Sequence, residues 1–459
     1  MMQSFRNHYR LYISLTVTIF LFIIDVNGLG AGQVVVGYYR SWARNEYPAA
    51  RIQTENLTHV CHAFAWPEPT GSISAYDDIN DLNLISMLNH ADKKILISMG
   101  GWGNSYGFTA MSNSPIARKK FIDELIVSFI NIGYDGIDID WEHPSSFTDR
   151  NNLNLLIKEI RQEFDNLDPS LLITMAVPAG SWTGQWIDYT FLKDYVDWFG
   201  CMTYDFHGDY SDHSGHNSPL FSSAKDNCGS VDTAYDYLVN QRGLPQNKVL
   251  IGIPFYGKEF GTNRLYAPYT GNVVSHNYAY IDGLIGNGWT RYWDNESHVP
   301  FLLDNFMTKL ITYDDSLSVR LKCQYAQTKG LRGVIIWALG QDMIDERQPL
   351  LETIGATFAG NIGVDSKVNN LQSYDLDISN YPNPFNSATT IAFTIPKSQR
   401  VILEIYDIMG CRKDVLVDSY FNQGRHKINY DATGLPTGIY FSKLIIENNI
   451  KINKLIHLK

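Results

Sequence analysis

Cysteine is scarce. Five residues in 459 (Cys61, Cys201, Cys228, Cys323 and Cys411) are too few to staple a disulfide scaffold, and the odd count leaves at least one thiol unpaired. Cys61 and Cys201 sit within apolar, strand-like runs and read as buried free thiols, and the five show no metal-ligand spacing. Positive charge is also short: 37 Lys and Arg stand against 48 Asp and Glu, a formal net charge of -11. That balance excludes the basic face a nucleic-acid partner requires and suits a neutral or cationic ligand. Long apolar runs are missing beyond the N-terminus. The one present there, from about Leu11 to Ile24 behind Arg6 and Arg10, falls short of the roughly 20 residues of a spanning helix and gives way to small residues. Residues 1–31 therefore read as a signal peptide cleaved near Gly28 to Ala31, with an uncleaved N-terminal anchor as the alternative, so export is expected, with no stable membrane span after processing.

Aromatic residues, by contrast, reach 13%, enough to line surfaces as well as fill a core. Between residues 33 and 360, short runs rich in β-branched residues alternate with longer amphipathic stretches. Eight runs are visible: VVVGYY (34–39), THVCHAFA (58–65), KILISMGG (94–101), YDGIDIDWE (134–142), LLITMAVP (171–178), VDWFGCMTYD (196–205), KVLIGIPFY (248–256) and RGVIIWAL (332–339). Most are apolar almost throughout, the pattern of parallel strands covered on both faces. Helical patterns lie between them, as over 114–133, with Pro115 near its start and Gly133 at its end, and over 230–243, with Ser230 as N-cap. Eight strand-helix units of this kind predict a (β/α)8 TIM barrel.

Residues 257–311 break the rhythm with aromatics and glycines but no clean helix, and read as a subdomain inserted after strand seven, beside the barrel's working face. A polar linker is expected over 361–379. Residues 380–459 then show short alternating strands separated by turn residues, which predicts a small all-β sandwich. Residues 381–459 hold ten Lys and Arg against six Asp and Glu, so the acidity belongs to the barrel.

The segment GYDGIDIDWEHP (133–144) concentrates the chemistry. In a strand, alternate residues share a face, so Asp138, Asp140 and Glu142 point one way while Ile137, Ile139 and Trp141 pack against the outer helices. In a closed barrel the acidic face points inward. Neighbouring carboxylates in a low-dielectric interior share protons, which raises the pKa of at least one. A carboxyl held protonated near neutrality is a general acid, and Glu142, last in the row, stands at the strand's C-terminal end where barrel active sites lie. A solvated acidic face does not suit the Ile, Ile, Trp partner face. A calcium loop fails because His143 stands where the glycine of the sixth loop position belongs.

DGIDIDWE resembles the DGxDxDxE signature of glycoside hydrolase family 18, the chitinase family. SMGGW (98–102), MTYDFHG (202–208), GIPFYGKEF (252–260) and IIWALGQD (335–342) are similar to that family's third-, sixth-, seventh- and eighth-strand motifs, so the resemblance covers nearly all of 34–345. It implies that the insertion is a short α+β one. It further implies retaining, substrate-assisted hydrolysis of β-1,4 linkages between N-acetylglucosamine units, with Glu142 as acid, Asp140 turning to the acetamido N–H, Asp138 holding or sharing its proton and Tyr204 orienting the acetamido oxygen. Trp337 is implied as the floor under the -1 sugar, Asp205 as a sugar ligand or tuner of Glu142, and Met202, Trp102, Tyr38, Phe64, Gly101, Ala176 and Tyr256 as further cleft positions. Lys258 stands where many members carry Arg, which puts a contact from that position in question. Trp289, Tyr292 and Trp293 read equally as a cleft wall or as the insertion's own core. No metal or cofactor is implied.

The tail, with YPNPFN (381–386), IYDIMG (405–410), Gly424, Arg425 and His426, and GIY (438–440), resembles the C-terminal sorting domain of type IX secretion cargo. That implies secretion machinery as a partner and a secreted or cell-surface location. A carbohydrate-binding sandwich is the alternative for the tail. For the whole chain the alternatives are an endo-β-N-acetylglucosaminidase acting on N-glycans and a non-catalytic chitin-binding lectin. Such lectins typically lose the acid, which is present here.

Overall fold

Strands that are apolar on both faces are satisfied only between two layers, and here a ring of eight supplies both. The computed structural model describes residues 32–360 and 377–458, apart from 78, 80, 227, 396–398, 409, 422–423 and 447–448. The expected signal peptide and most of the expected linker lie outside the described residues. Two compact units divide near residue 362.

In the first unit β1 (Val34–Arg40), β2 (His59–Pro67), β3 (Lys94–Gly100), β4 (Gly136–Asp140), β5 (Leu172–Pro178), β6 (Trp198–Met202), β7 (Val249–Pro254) and β8 (Gly333–Trp337) pair in parallel, each with the next. β1 pairs with both β8 and β2, which closes the barrel. Alternation sorts the side chains. Ile137, Ile139 and Trp141 join the buried layer beneath the helices, where Trp141 stacks on Phe108 at 5.1 Å between ring centroids. Val36, Cys61, Leu96, Leu250 and Ile335 fill the interior.

The 114–133 pattern becomes a helix over Pro115–Ser128, capped by Ser114 Oγ, which accepts from Ala117 N at 3.3 Å. A single 3-10 turn follows, ending at Gly133 in the left-handed region (φ 111°). The 230–243 stretch opens on a Ser230–Thr233 capping box and is α-helical over Val231–Tyr235 before widening into a π-helix over Asp236–Gln241. The inserted segment is an antiparallel five-stranded sheet reaching from Tyr256 to Thr312. It also carries a helix, Tyr278–Leu284, as the α+β resemblance implies, although seven residues with two tyrosines are too short to show a helical apolar stripe in the sequence.

The second unit consists of a three-stranded and a four-stranded antiparallel sheet that share one core, including Ile391, Phe393, Leu403, Ile405 and Leu444. Its first strand, Asp377–Tyr381, begins within the expected linker. It is polar, and its pairing with Ala388–Ile395 makes it a strand where its sequence pattern does not.

Candidate functional site

Barrel strands end together, so residues at or just past their C-terminal ends converge on one opening. A cavity of about 250 Å³ lies there, with Glu142 and Asp140 on one wall and Tyr204, Asp205 and Met202 on another. Trp337, Tyr38, Phe64, Ala176 and Trp102 complete the lining foreseen from sequence. Asp138 lies beneath. β4 stops at Asp140 and β6 at Met202, so Glu142, Tyr204 and Asp205 stand on the loops just beyond rather than in the strands. Gly101 and Tyr256 do not line the cavity. Gly101 gives room to Phe64, whose ring a Cβ there would meet at 2.5 Å. Tyr256 opens the insertion's first strand and packs edge-on against Tyr204 at 6.1 Å.

Register explains the bottom of the acid row. Asp138 is level with Ser98 on β3 and Thr174 on β5, and level residues on adjacent parallel strands point the same way. Ser98 Oγ donates to Asp138 Oδ2 at 2.8 Å and Thr174 Oγ1 donates to Oδ1 at 2.6 Å. From β1, Tyr38 Oη donates to Oδ2 at 2.8 Å. Burial raises the pKa of Asp138, and these three donors oppose the rise. Asp140, 4% exposed, has no such support. Its Oδ1 is buried without a hydrogen-bond partner, and burial followed by the charges of Glu142 and Asp138 drives its pKa well up.

Glu142 is held through its backbone N–H, which donates to Ser105 Oγ at 2.9 Å. Burial, then repulsion from Asp205, pushes its carboxyl up to about 7. Asp205 faces Lys258, whose ammonium lies 2.7 Å from Asp205 Oδ1 and 5.3 Å from the Tyr256 ring centroid. The position in question therefore makes a contact, with the Lys ammonium reaching the carboxylate as a single point charge. Tyr204 is seated where Gly252 leaves room: a Cβ there would lie 2.6 Å from the tyrosine ring.

An aromatic row leads outward from the floor. Phe64 stacks on Trp337 at 5.6 Å, Trp42 on Phe64 at 6.0 Å, and Tyr76 meets Trp42 at 5.0 Å. Trp102 is 83% exposed at the rim. Trp42, Tyr76 and Asn104 line the cavity but are not legible in the eight strand patterns, because Trp42 stands in a 3-10 turn just past β1, Tyr76 at the margin of a short edge strand and Asn104 on a loop. Trp289, Tyr292 and Trp293 do not line it. Tyr292 stacks on Phe301 and Trp293 lies under Arg291, contacts within the insertion, while Trp289 packs against the main core.

A second concavity, of about 440 Å³, opens at the N-terminal ends of the strands beside Lys94 and Asp135 and contains none of the acid row. All five cysteines are free thiols, with Cys61, Cys201 and Cys323 buried. One set of metal-ligating side chains appears among the described residues: His207, His213, Asp226 and Cys228, in the loop that follows Asp205. Cysteine spacing alone could not reveal it, since a single thiol contributes.

Residues 34–342 match the family model described as glycosyl hydrolases family 18, and residues 379–458 match the secretion system C-terminal sorting domain. A probable endochitinase of Caenorhabditis elegans is 33% identical over 66% of this chain and 55% of its own length. Chitinase ChiA of Flavobacterium johnsoniae is 26% identical over 76% of this chain, which spans only 30% of that relative. The solved Group IV chitinase of Ostrinia furnacalis in complex with allosamidin superposes with a TM-score of 0.66, at 29% identity, covering 72% of this chain and 99% of that one.

Proposed function

The chain belongs to glycosyl hydrolases family 18, and on that premise we propose that it is a secreted chitinase that retains anomeric configuration through substrate assistance. The observation that carries the proposal is the gradient along one strand face. Asp138 is held by three donors, Asp140 by none, and Glu142 reaches the cavity with its pKa pushed up to about 7.

Glu142, protonated, donates its proton to the glycosidic oxygen as that bond breaks. The substrate's own 2-acetamido carbonyl oxygen attacks the anomeric carbon from the opposite face, giving an oxazolinium ion. Asp138 and Asp140 share one proton and hence one negative charge. Asp140 turns up to the acetamido N–H, and the charge left on Asp138 is met by Tyr38, Ser98 and Thr174. Tyr204 Oη donates to the acetamido oxygen and aligns it. Water then gives a proton to the Glu142 carboxylate and opens the oxazolinium, regenerating the acid and leaving the β-anomer. Trp337 offers its indole face to the C–H face of the -1 sugar. The C-terminal unit directs export through the type IX machinery and is removed afterwards.

The test is to incubate the protein with a chito-hexamer and, separately, with a glycoprotein bearing N-glycans. Shorter chito-oligosaccharides are the expected product. Release of N-glycans with an intact hexamer reassigns the protein to the endo-β-N-acetylglucosaminidases, and inertness towards both reassigns it to the lectins.

A further inference from the structure

The loop between β6 and the helix at Val231 is unusually long for a segment without secondary structure: from Thr203 to Ser230 no described residue is in a helix or strand. It nevertheless carries Tyr204 and Asp205 at its start, so something must fasten its outer part. Four side chains meet there. His207 Nε2 lies 3.4 Å from His213 Nε2 and 3.4 Å from Asp226 Oδ2, and His213 Nε2 lies 3.7 Å from Asp226 Oδ1. The ligating atoms of these three and Cys228 all fall within 4.8 Å of one another.

The other ring nitrogens fix the tautomers. His207 Nδ1 is 3.1 Å from the His216 carbonyl oxygen, which can only accept, so Nδ1 carries the hydrogen. His213 Nδ1 is 2.5 Å from an Asp212 carboxylate oxygen, which likewise only accepts. Each neutral imidazole thus turns a lone pair at Nε2 toward the same point, and the Asp226 carboxylate adds more negative charge there. Three such groups repel unless a cation, or protons on the imidazoles, stands between them. His207 is fully buried, its ring lying against Gly215, where a Cβ would come within 2.3 Å of it. The Asp226 side chain is 4% exposed.

We propose that His207, His213, Asp226 and Cys228 bind a zinc ion that fastens the loop carrying Tyr204 and Asp205. Bonds of about 2.0–2.3 Å to a tetrahedral zinc place ligand atoms roughly 3.3–3.8 Å apart, the separations found among the imidazoles and the carboxylate. Two imidazoles, a carboxylate and a thiolate suit zinc rather than calcium or magnesium, which prefer all-oxygen sites. The hydrogen bonds at both Nδ1 atoms are the outer support that metal-bound histidines ordinarily have. Four protein ligands leave no open position, so the site is structural and takes no part in hydrolysis. Binding releases the Cys228 thiol proton to solvent and involves no redox change.

Metal analysis of the full chain, prepared without an affinity tag or chelator and desalted after exposure to a small excess of zinc, should find about one zinc per chain. Stripping it should lower Tm, and zinc should restore Tm. Cobalt in its place should show tetrahedral d–d bands and a thiolate-to-cobalt charge-transfer band. Cys228→Ser, at an exposed position, should abolish the charge-transfer band, and Asp212→Asn should weaken zinc binding about 10- to 100-fold. No retained zinc, or zinc retained with unchanged affinity in both Cys228→Ser and His213→Ala, would overturn the proposal and leave protonated imidazoles as the bridge to Asp226. None of these readouts requires hydrolysis, so failure here is distinct from failure of the proposed activity.

Discussion

Thr174 Oγ1 donates to Asp138 Oδ1 at 2.6 Å, the shortest of three hydrogen bonds to that carboxylate, while the next acid along the strand face, Asp140, has an Oδ1 that receives none. The contrast decides where charge rests. A carboxylate with three donors is stabilised ionised, and one with none keeps the proton.

Thr174→Val removes one donor from Asp138 at nearly constant volume. A hydrogen bond to a charged group is worth about 1.5–3 kcal/mol, so kcat should fall about 10- to 150-fold while KM stays within about twofold. Steady-state kinetics on a chito-oligosaccharide checks this. An equal rise in KM instead would mean that Thr174 acts in binding.

Glu142→Gln removes the acid and keeps the shape. Turnover should drop by about 10²–10⁴, with the Kd for a chito-oligosaccharide, measured by calorimetry, nearly unchanged. Asp140→Asn should lower kcat by about 10²–10³, because an amide cannot share a proton with Asp138, so the pair can no longer place its single negative charge as the oxazolinium forms.

The barrel is legible in the sequence because strands covered on both faces are apolar almost throughout, and most of the eight runs stand out for that reason. The acid row is legible because charge at every second residue, set against Ile, Ile and Trp at the residues between, is incompatible with a strand face turned to solvent. The donors to Asp138 are not legible in the same way. Ser98 and Thr174 lie 40 and 36 residues away, and only their being hydroxyls inside otherwise apolar strands marks them. The short insertion helix, the edge strand at Asp377 and the positions of Trp42, Tyr76 and Asn104 are set by tertiary contacts, which no local period records. The histidine, aspartate and cysteine cluster is spread over residues 207 to 228 and is assembled only by the path of the loop.

The rate should depend on pH through Glu142, whose pKa lies near 7. The general acid must be protonated, so kcat/KM should be full below that value and fall as pH rises through it. Tyr204 and Asp205 face it across the cavity, Asp140 lies on its own wall and His143 adjoins it, with Lys258 paired to Asp205. Asp205→Asn removes a repelling charge and should move the falling limb to lower pH. Lys258→Met uncovers the Asp205 charge and should move it higher. Movement of both variants in the same direction contradicts this origin of the shift.

Trp337→Ala removes the proposed floor, which Tyr38 and Phe64 brace at 5.6 Å each. Losing the packing of one large apolar side chain is worth about 1.5–3 kcal/mol, so kcat/KM should fall by about 10- to 150-fold, and Trp337→Phe should recover part of it.

The most direct test of substrate-assisted hydrolysis is proton NMR of the first products released from a chito-hexamer, recorded before mutarotation. Newly formed reducing ends in the β configuration are the predicted result. Newly formed α ends would contradict the account, because they require water, rather than the substrate's acetamido group, to attack the anomeric carbon.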